Sequence, residues 1–332
     1  MPRSSIPDHI TFDGKPIYFP GTVDDYENQG GIWWPRPPID DHYYFAGMAW
    51  HLAVDGRRCD VITERVGDLT VLERLDLAFS VPRAHPDAEL VWCGDDDRAV
   101  SFGFVDTIIH TDDLLFGSLL RCQAARQMAQ LHELAGDPLR AKEYAHIAAS
   151  ISTHLARTFA HPSGLLQAST GKSAQPDVWG SAYAVYSAAL PPAEALAVCR
   201  ALLDVYRRGT IAYRGNIRHV PTDADYDAST AWELTIGSRT KENRYQNGAY
   251  WGTATGWVAY ALAQVDAAAA LELASEYIAE LQMGDYRQGE EFGSPFECFH
   301  PDGGYTQNPV YMASVTCPLE AFGRLRWMAS AR

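Results

Sequence analysis

The 332-residue sequence has no Cys-x-x-Cys pair, no run of Lys or Arg, and no apolar stretch of membrane-spanning length. Its six cysteines (Cys59, Cys93, Cys122, Cys199, Cys298, Cys317) are scattered, which excludes a metal finger or a disulfide framework and predicts reduced, mostly buried thiols. Basic residues are outnumbered 27 to 42, for a net charge of −15, so neither nucleic acid nor an anionic membrane surface is an expected partner. A spanning helix needs about 20 apolar residues, and none is found. The opening MPRSSIPDHITFDG lacks the apolar core of a signal peptide, and a cytoplasmic location is expected.

Several chemistries fail for want of one residue. Asp223, Asp225 and Asp227 imitate a calcium loop, but Ala228 stands where glycine is needed and Leu234 where the bidentate acid belongs. Gly171-Lys172-Ser173 imitates a phosphate loop, with Leu166 in place of its first glycine. Gly252 and Gly256 bracket Ala254 rather than a nucleophilic serine, and no HExxH occurs. No metal and no organic cofactor are expected.

What is present is a hydrophobic content of 47%, nine Trp and 17 Tyr. This is a globular composition, and several aromatics sit beside Gly, Asn or Asp in loops. An aromatic in a polar loop offers a flat apolar face with a hydrogen-bonding edge, which suits a sugar ring. The alternative is that each ring only seals a helix end against the core.

Residues 1–38 read as irregular, broken by Pro7, Pro16, Pro20, Pro35, Pro37 and Pro38, and residues 39–332 as one mainly α domain. Apolar periodicity predicts helices from Asp41 to about Gly56, from Cys59 to Ser80, and from the Asp112-Asp113 turn to Asp137, with either aspartate as cap. Further helices are expected over Leu139–Phe159, Val178–Leu190, Ala193–Arg207, Gly248–Ala263, Ala267–Met283 and Tyr311–Met328. Short turns (Gly136-Asp137-Pro138, Pro191-Pro192, Val265-Asp266) join them in pairs, and long loops precede one helix of each pair. Insertions gathered on one side of a repeated unit mark a binding face.

Four loop clusters carry candidate residues. They are Trp33 to His42, Asp106 to Asp113, Gln175 to Gly180, and a split pair, Tyr245 to Trp251 with Pro295 to His300. A lone Asp ahead of a helix is ordinarily a cap, but four such loops favour a shared site. The run Asp95-Asp96-Asp97 reads as a solvated turn. Glu297, between Phe296 and Phe299 and outside any helix, reads as a carboxylate prepared for proton transfer.

On these residues the chain resembles the six-hairpin glycosidase superfamily, and in pattern neutral/alkaline invertases and related inverting glucosidases. VDTIIHTDDLLFGSLLRC resembles that family's acid motif and the helix behind it. YQNGAYWGTATGW resembles its HNGG-W loop, and Phe296-Glu297-Cys298-Phe299 its aromatic-Glu-aromatic base motif. The resemblance implies an all-α (α/α)6-type toroid of helical hairpins. Fewer helices are countable than the twelve of a complete ring, which implies a partly open ring or one completed by a second copy as a homo-oligomer. It implies a glycosidase with a carbohydrate substrate, Asp112 as general acid, Asp106 and Asp113 as rivals, and Glu297 as general base. Asp40, Asp41, Asp177, Gln246 and Asn247 would bind sugar hydroxyls, Trp34, Trp179 and Trp251 would be platforms, and His42, His110 and His300 wall residues. Two other readings remain on the same barrel. One is a lyase or sugar epimerase moving protons with His42, His110 or His300 and Tyr, or a hydrolase using one Asp, like the unsaturated glucuronyl hydrolases. The other is a non-catalytic sugar-binding protein.

Overall fold

Helix boundaries in the computed structural model follow the local chemistry of caps and turns. It describes residues 6, 9–10, 12–14, 16–17, 40–94, 108, 110–224, 243–284, 294–302 and 304–330. Trp34, Asp106, the Asp95–Asp97 run, Asp225, Asp227, Ala228 and Leu234 lie outside the described residues. The chain divides into two compact units, residues 1–158 with 169–172, and residues 159–168 with 173–332.

In the first unit, β1 (His9–Ile10) pairs with β2 (Pro16–Ile17), and α1 (Asp41–Trp50) runs on into a wider turn over His51–Asp55, closed at Gly56. The expected helix over Cys59–Ser80 is not continuous. A short 3-10 turn (Cys59–Thr63) gives way to a hairpin of β3 (Arg65–Val66) and β4 (Leu69–Thr70), and α2 covers only Val71–Phe79. Gly67 takes φ +66°, which an α-helix cannot accommodate, and the Thr70–Glu73 capping box starts α2 afresh. Then β5 (Trp92–Cys93) pairs with β6 (Asp112–Asp113), leading into α3 (Leu115–Leu134) and α4 (Pro138–Thr158).

Neither Asp112 nor Asp113 caps α3. The cap position is Leu114, with no side-chain cap bond, because both aspartates are held in the two-residue ladder with Trp92 and Cys93. The α3 stripe of Leu115, Leu119, Cys122, Met128 and Leu131 is fully buried as the spacing predicts, and α3 packs on α1 and α4. Asp76 ties α2 to this pair, accepting from Tyr144 Oη at 2.5 Å, His132 Nε2 at 3.0 Å and Arg140 Nη2 at 3.1 Å.

In the second unit, β7 (Leu166–Gln167) pairs with β8 (Pro176–Asp177), followed by α5 (Val178–Tyr186) and α6 (Pro192–Arg207). The remaining elements are β9 (Ala212–Tyr213), β10 (Asn216–Ile217), β11 (Tyr250–Trp251), α7 (Thr255–Ala263), α8 (Ala267–Met283), β12 (Cys298–His300), β13 (Tyr305–Gln307) and α9 (Ala313–Ser330). The helix expected from Gly248 begins only at Thr255, because Tyr250 and Trp251 are drawn into a five-stranded antiparallel sheet ordered β13-β12-β11-β10-β9.

Within each pair the two helices differ. Every residue of α5 is buried, and α7 buries Thr255, Gly256, Trp257, Val258, Ala259, Ala261 and Leu262. Their partners α6 and α8 bury one stripe each, Val198, Cys199, Leu202 and Val205, and Ala269, Ala270, Leu273 and Tyr277. A helix apolar on all sides must be surrounded, whereas an amphipathic one faces water. Accordingly α7 is packed by α5, α6, α8 and α9. The architecture is all-α, built of hairpins with one surrounded and one peripheral helix.

Candidate functional site

Glu297 is a buried carboxylate, 3% exposed, at the entrance to β12. Its backbone N–H donates to Gln307 O at 3.0 Å and Asn308 O at 2.9 Å, anchoring it to the β12–β13 hairpin. Tyr245 Oη donates to Oε1 at 3.1 Å, and Asn308 Nδ2 to Oε2 at 2.7 Å. Both donor residues have left-handed backbones, Tyr245 at φ +46° and Asn308 at φ +38°. Asn tolerates that region, whereas a bulky Tyr does so only when its surroundings enforce it.

The surroundings are aromatic. The Tyr245 ring lies 5.0 Å from Trp251, whose Nε1 donates to Tyr245 O at 3.2 Å. Trp179 stacks on His219 at 3.8 Å and meets the Trp251 and Trp257 rings edge-on at 5.5 and 6.1 Å. Trp179 and Trp251 are both 0% exposed, so neither presents the open face expected of a sugar platform. Their polar neighbours in sequence reflect tight turns rather than exposure. The pair forms the aromatic floor that holds Tyr245 in place.

The turn before β11 buries Gln246 (0% exposed) and Asn247 (4%). It needs glycine at 248, where φ is +114° and an added Cβ would sit 2.7 Å from Arg218 Nη2. Asp177 is a true N-cap, with Oδ1 accepting Gly180 N–H at 2.8 Å. Burial pushes its carboxyl up to about 7, against the opposing pull of the Gly180 and Trp179 amides. His300 is buried, its Nδ1 accepting Asp302 N–H at 3.1 Å and its ring 5.6 Å from Tyr250.

In the first unit, the Asp112-Asp113 pair forms a second cluster. Asp112 is exposed, at φ +63°. Asp113 Oδ1 lies 2.7 Å from His85 Nε2, and Thr170 Oγ1 both accepts Asp113 N–H at 3.0 Å and lies 3.4 Å from Oδ2. The His85 ring stacks on Trp92 at 5.5 Å. Residues 169–172 lie over this loop, Gly171 N–H bonding Thr111 O at 3.1 Å, and a Cβ at Gly171 would sit 2.7 Å from Asp112 Oδ2. Gly171, in the stretch that imitates a phosphate loop, therefore serves close backbone packing beside Asp112 rather than phosphate binding.

Asp40, His42 and His110 are buried at 4%, 1% and 4% exposure, with Asp41 partly buried at the start of α1. Burial pushes the His110 imidazole down to about 3, which keeps it neutral at pH 7. Asn308 and His85 are functional candidates that motif reading missed. Asn308 precedes a proline and carries no motif, and His85 lies 28 residues from the carboxylate it meets. Among the described residues, no group of three or more His, Cys, Asp or Glu is placed to hold a metal, and no helix is long and apolar enough to cross a membrane.

No protein-family model and no curated protein sequence matches the chain. Solved structures do. A GH63 mannosylglycerate hydrolase from Thermus thermophilus, determined with glucose, has a TM-score of 0.58 at 11% identity, over 98% of this chain and 84% of that one. An uncharacterised conserved protein from the same organism has a TM-score of 0.54 at 13% identity, with the same coverage. A sialidase structure has a TM-score of 0.54 at 14% identity over 82% of this chain, which spans only 24% of that protein. At these identities the likeness is one of fold alone, an all-α toroid of helical hairpins.

Proposed function

We propose that this chain is a glycoside hydrolase that cleaves a glycosidic bond with inversion, Glu297 acting as general base and Asp112 as general acid. The observation that carries this reading is the Glu297 carboxylate, buried and gripped at both oxygens by Tyr245 and Asn308 on left-handed backbone. A base must hold its lone pair in one direction while water loses a proton, and two fixed donors set that direction. The fold supports the class, since two of the similar structures bear the names of a hydrolase of a sugar derivative and a sialidase. Among the aspartates, Asp113 is engaged by His85 and Thr170, whereas the Asp112 carboxyl is exposed, as a group that must protonate a departing oxygen requires.

An inverting mechanism needs its two carboxyl groups roughly 6.5–9.5 Å apart, with water between base and sugar. The acid protonates the leaving oxygen while the base takes a proton from water attacking the opposite ring face. Asp40, Asp41, Asp177, Gln246 and Asn247 are the proposed hydroxyl partners, and invertase-like glucosides and fructosides are the first substrates to try.

The test is release of reducing sugar from a glycan and aryl-glycoside panel by wild type, Asp112→Asn and Glu297→Gln. Loss in both folded variants, with an anomerically inverted product seen by NMR, is expected. Activity surviving Glu297→Gln removes the base from the mechanism. The His85–Asp113 pair stacked on Trp92 favours one second reading, a lyase or epimerase abstracting a proton with an oriented imidazole. In that case His85→Gln abolishes turnover, and the product is an unsaturated or epimerised sugar rather than a new reducing end.

A further inference from the structure

We propose that a cavity on the second unit, bounded by the β9–β10 turn, α8 and the β12–β13 hairpin, is a separate binding site for a single neutral sugar ring. Its volume is about 280 Å³. That lies just below the roughly 300–1,000 Å³ of drug-sized ligand pockets, so it suits one ring rather than an oligosaccharide. Phe296, Phe299 and His300 line it, but Glu297, which they flank in sequence, does not.

Three features specify the ligand. First, Tyr213 and Phe299 meet edge-to-face at 6.1 Å and 64°, forming an apolar corner for the C–H face of a ring. Second, the charges balance. Glu280 Oε2 is buried and accepts no hydrogen bond from the described residues, its nearest cation among them being Arg214 Nη1 at 3.5 Å. An anionic ligand would meet the Glu280 carboxylate and a cationic one the Arg214 guanidinium. A polyhydroxylated neutral ring satisfies both, its hydroxyls donating to Glu280 and accepting from Arg214. Third, His300 lines the cavity with its Nδ1 taken up by the Asp302 N–H, which leaves Nε2 as the ring nitrogen to meet a hydroxyl.

The backbone shows that Arg214 is placed deliberately. Tyr213 pairs with Asn216 across a two-residue turn in which Arg214 has φ +47° and Gly215 φ +75°. That is the mirror-image hairpin turn which asparagine followed by glycine makes without strain. Gly215 has no alternative, since a Cβ there would fall 2.4 Å from Tyr277 N on α8. This contact presses the turn onto α8 and delivers the strained arginine to Glu280. An observed strained residue with a side chain at a cavity rim is grounds for a binding role.

The experiment is hydrogen exchange read by peptide mass spectrometry on the full chain, with and without D-glucose, D-mannose, D-galactose and sucrose. The two variants are Glu280→Gln, which keeps the shape, and Arg214→Asn, which relieves the turn and should raise thermal stability while removing the guanidinium. The expected result is slowed exchange in peptides covering Tyr213–Asn216 and Tyr305–Gln307 with at least one hexose. Each variant should weaken that effect about tenfold in sugar concentration, as loss of a charge-assisted hydrogen bond does. No slowing with any sugar, slowing only in peptides around Tyr245–Trp251, or slowing unchanged in both variants overturns the proposal. Because the readout needs no turnover, failure of the hydrolase reading leaves this test intact, and failure here leaves the hydrolase reading intact.

Discussion

Replacing Asp177 by Asn should make the protein more stable at pH 8 and leave it nearly unchanged at pH 4. The Asp177 side chain is 2% exposed and caps α5 through Gly180 N–H at 2.8 Å. Its carboxyl is pushed from 3.8 to about 7, first by burial, with the Gly180 and Trp179 amides opposing. Between those values the folded chain holds a proton that the unfolded chain has released. Folding stability is therefore full below about pH 4, falls as pH rises, and levels off above 7. At about 1.4 kcal/mol per pH unit, the loss across this window is on the order of 4 kcal/mol. Asparagine is as good an N-cap as aspartate and does not titrate. The variant therefore keeps the helix start and removes the slope. Urea unfolding at pH 5 and pH 8, with exchange of the α5 amides as a local reporter, measures the difference. If both proteins lose the same stability between those pH values, Asp177 is not protonated in the folded state and the reasoning fails. Asp177→Ala is the control: it also removes the slope, and should lie about 1 kcal/mol below Asp177→Asn at every pH through loss of the cap.

His110 should act in the opposite sense in the first unit. With its imidazole pushed down to about 3 by burial, the unfolded chain binds the extra proton below 6.5, so stability is full above that pH and falls by about 1.4 kcal/mol per pH unit as pH drops; His110→Gln should flatten this acid limb in an equilibrium pH titration, and an unchanged limb contradicts it. Tyr245→Phe deletes the donor to Glu297 Oε1 while keeping the ring against Trp251, so activity on the best substrate should fall about tenfold or more with a changed pH–rate profile and little change in thermal midpoint. A profile identical to wild type would leave Tyr245 a packing residue. Gly256→Ala would place a Cβ 2.6 Å from the Ala321 Cβ and 2.9 Å from Pro318 Cα, and should cost about 1–3 kcal/mol in urea unfolding by forcing α7 from α9. A neutral substitution would show that this contact yields freely.

The helical hairpins were legible because their turns are chemical punctuation. Gly136-Asp137-Pro138 and Asp266 stop one helix and cap the next within a few residues, so period and breaker agree. The sheet was not, since strands of two or three residues have no period to read, and Tyr250-Trp251 continue an apolar pattern that equally suits a helix. Asp112 and Asp113 look like caps until Trp92 and Cys93 arrive as ladder partners from well upstream in the chain, a non-local fact. Trp179 and Trp251 look exposed beside Asp, Gly and Asn, but that chemistry serves a cap and a left-handed turn, and both rings end in the core. The burial of Glu297 is legible from its aromatic flanks, whereas its grip by Asn308 depends on the β12–β13 register.

Left-handed backbone at Tyr245 and Asn308 places the two donors that hold Glu297. Glycine at 245 would sit at φ +46° without cost, but the chain places tyrosine there, and such positions cost about 1–3 kcal/mol. The compensation is visible: Tyr245 O accepts both Trp251 Nε1 at 3.2 Å and Ala249 N–H at 3.0 Å, and the ring packs on Trp251. Those contacts over-determine the backbone and leave one degree of freedom for the hydroxyl, which is directed at Glu297. At Asn308 the left-handed backbone likewise turns an amide onto the same carboxylate. A carboxylate serving only as a surface charge needs no such arrangement. One that must accept a proton from a fixed direction does, because a donor on a relaxed, mobile loop would allow the lone pair to wander.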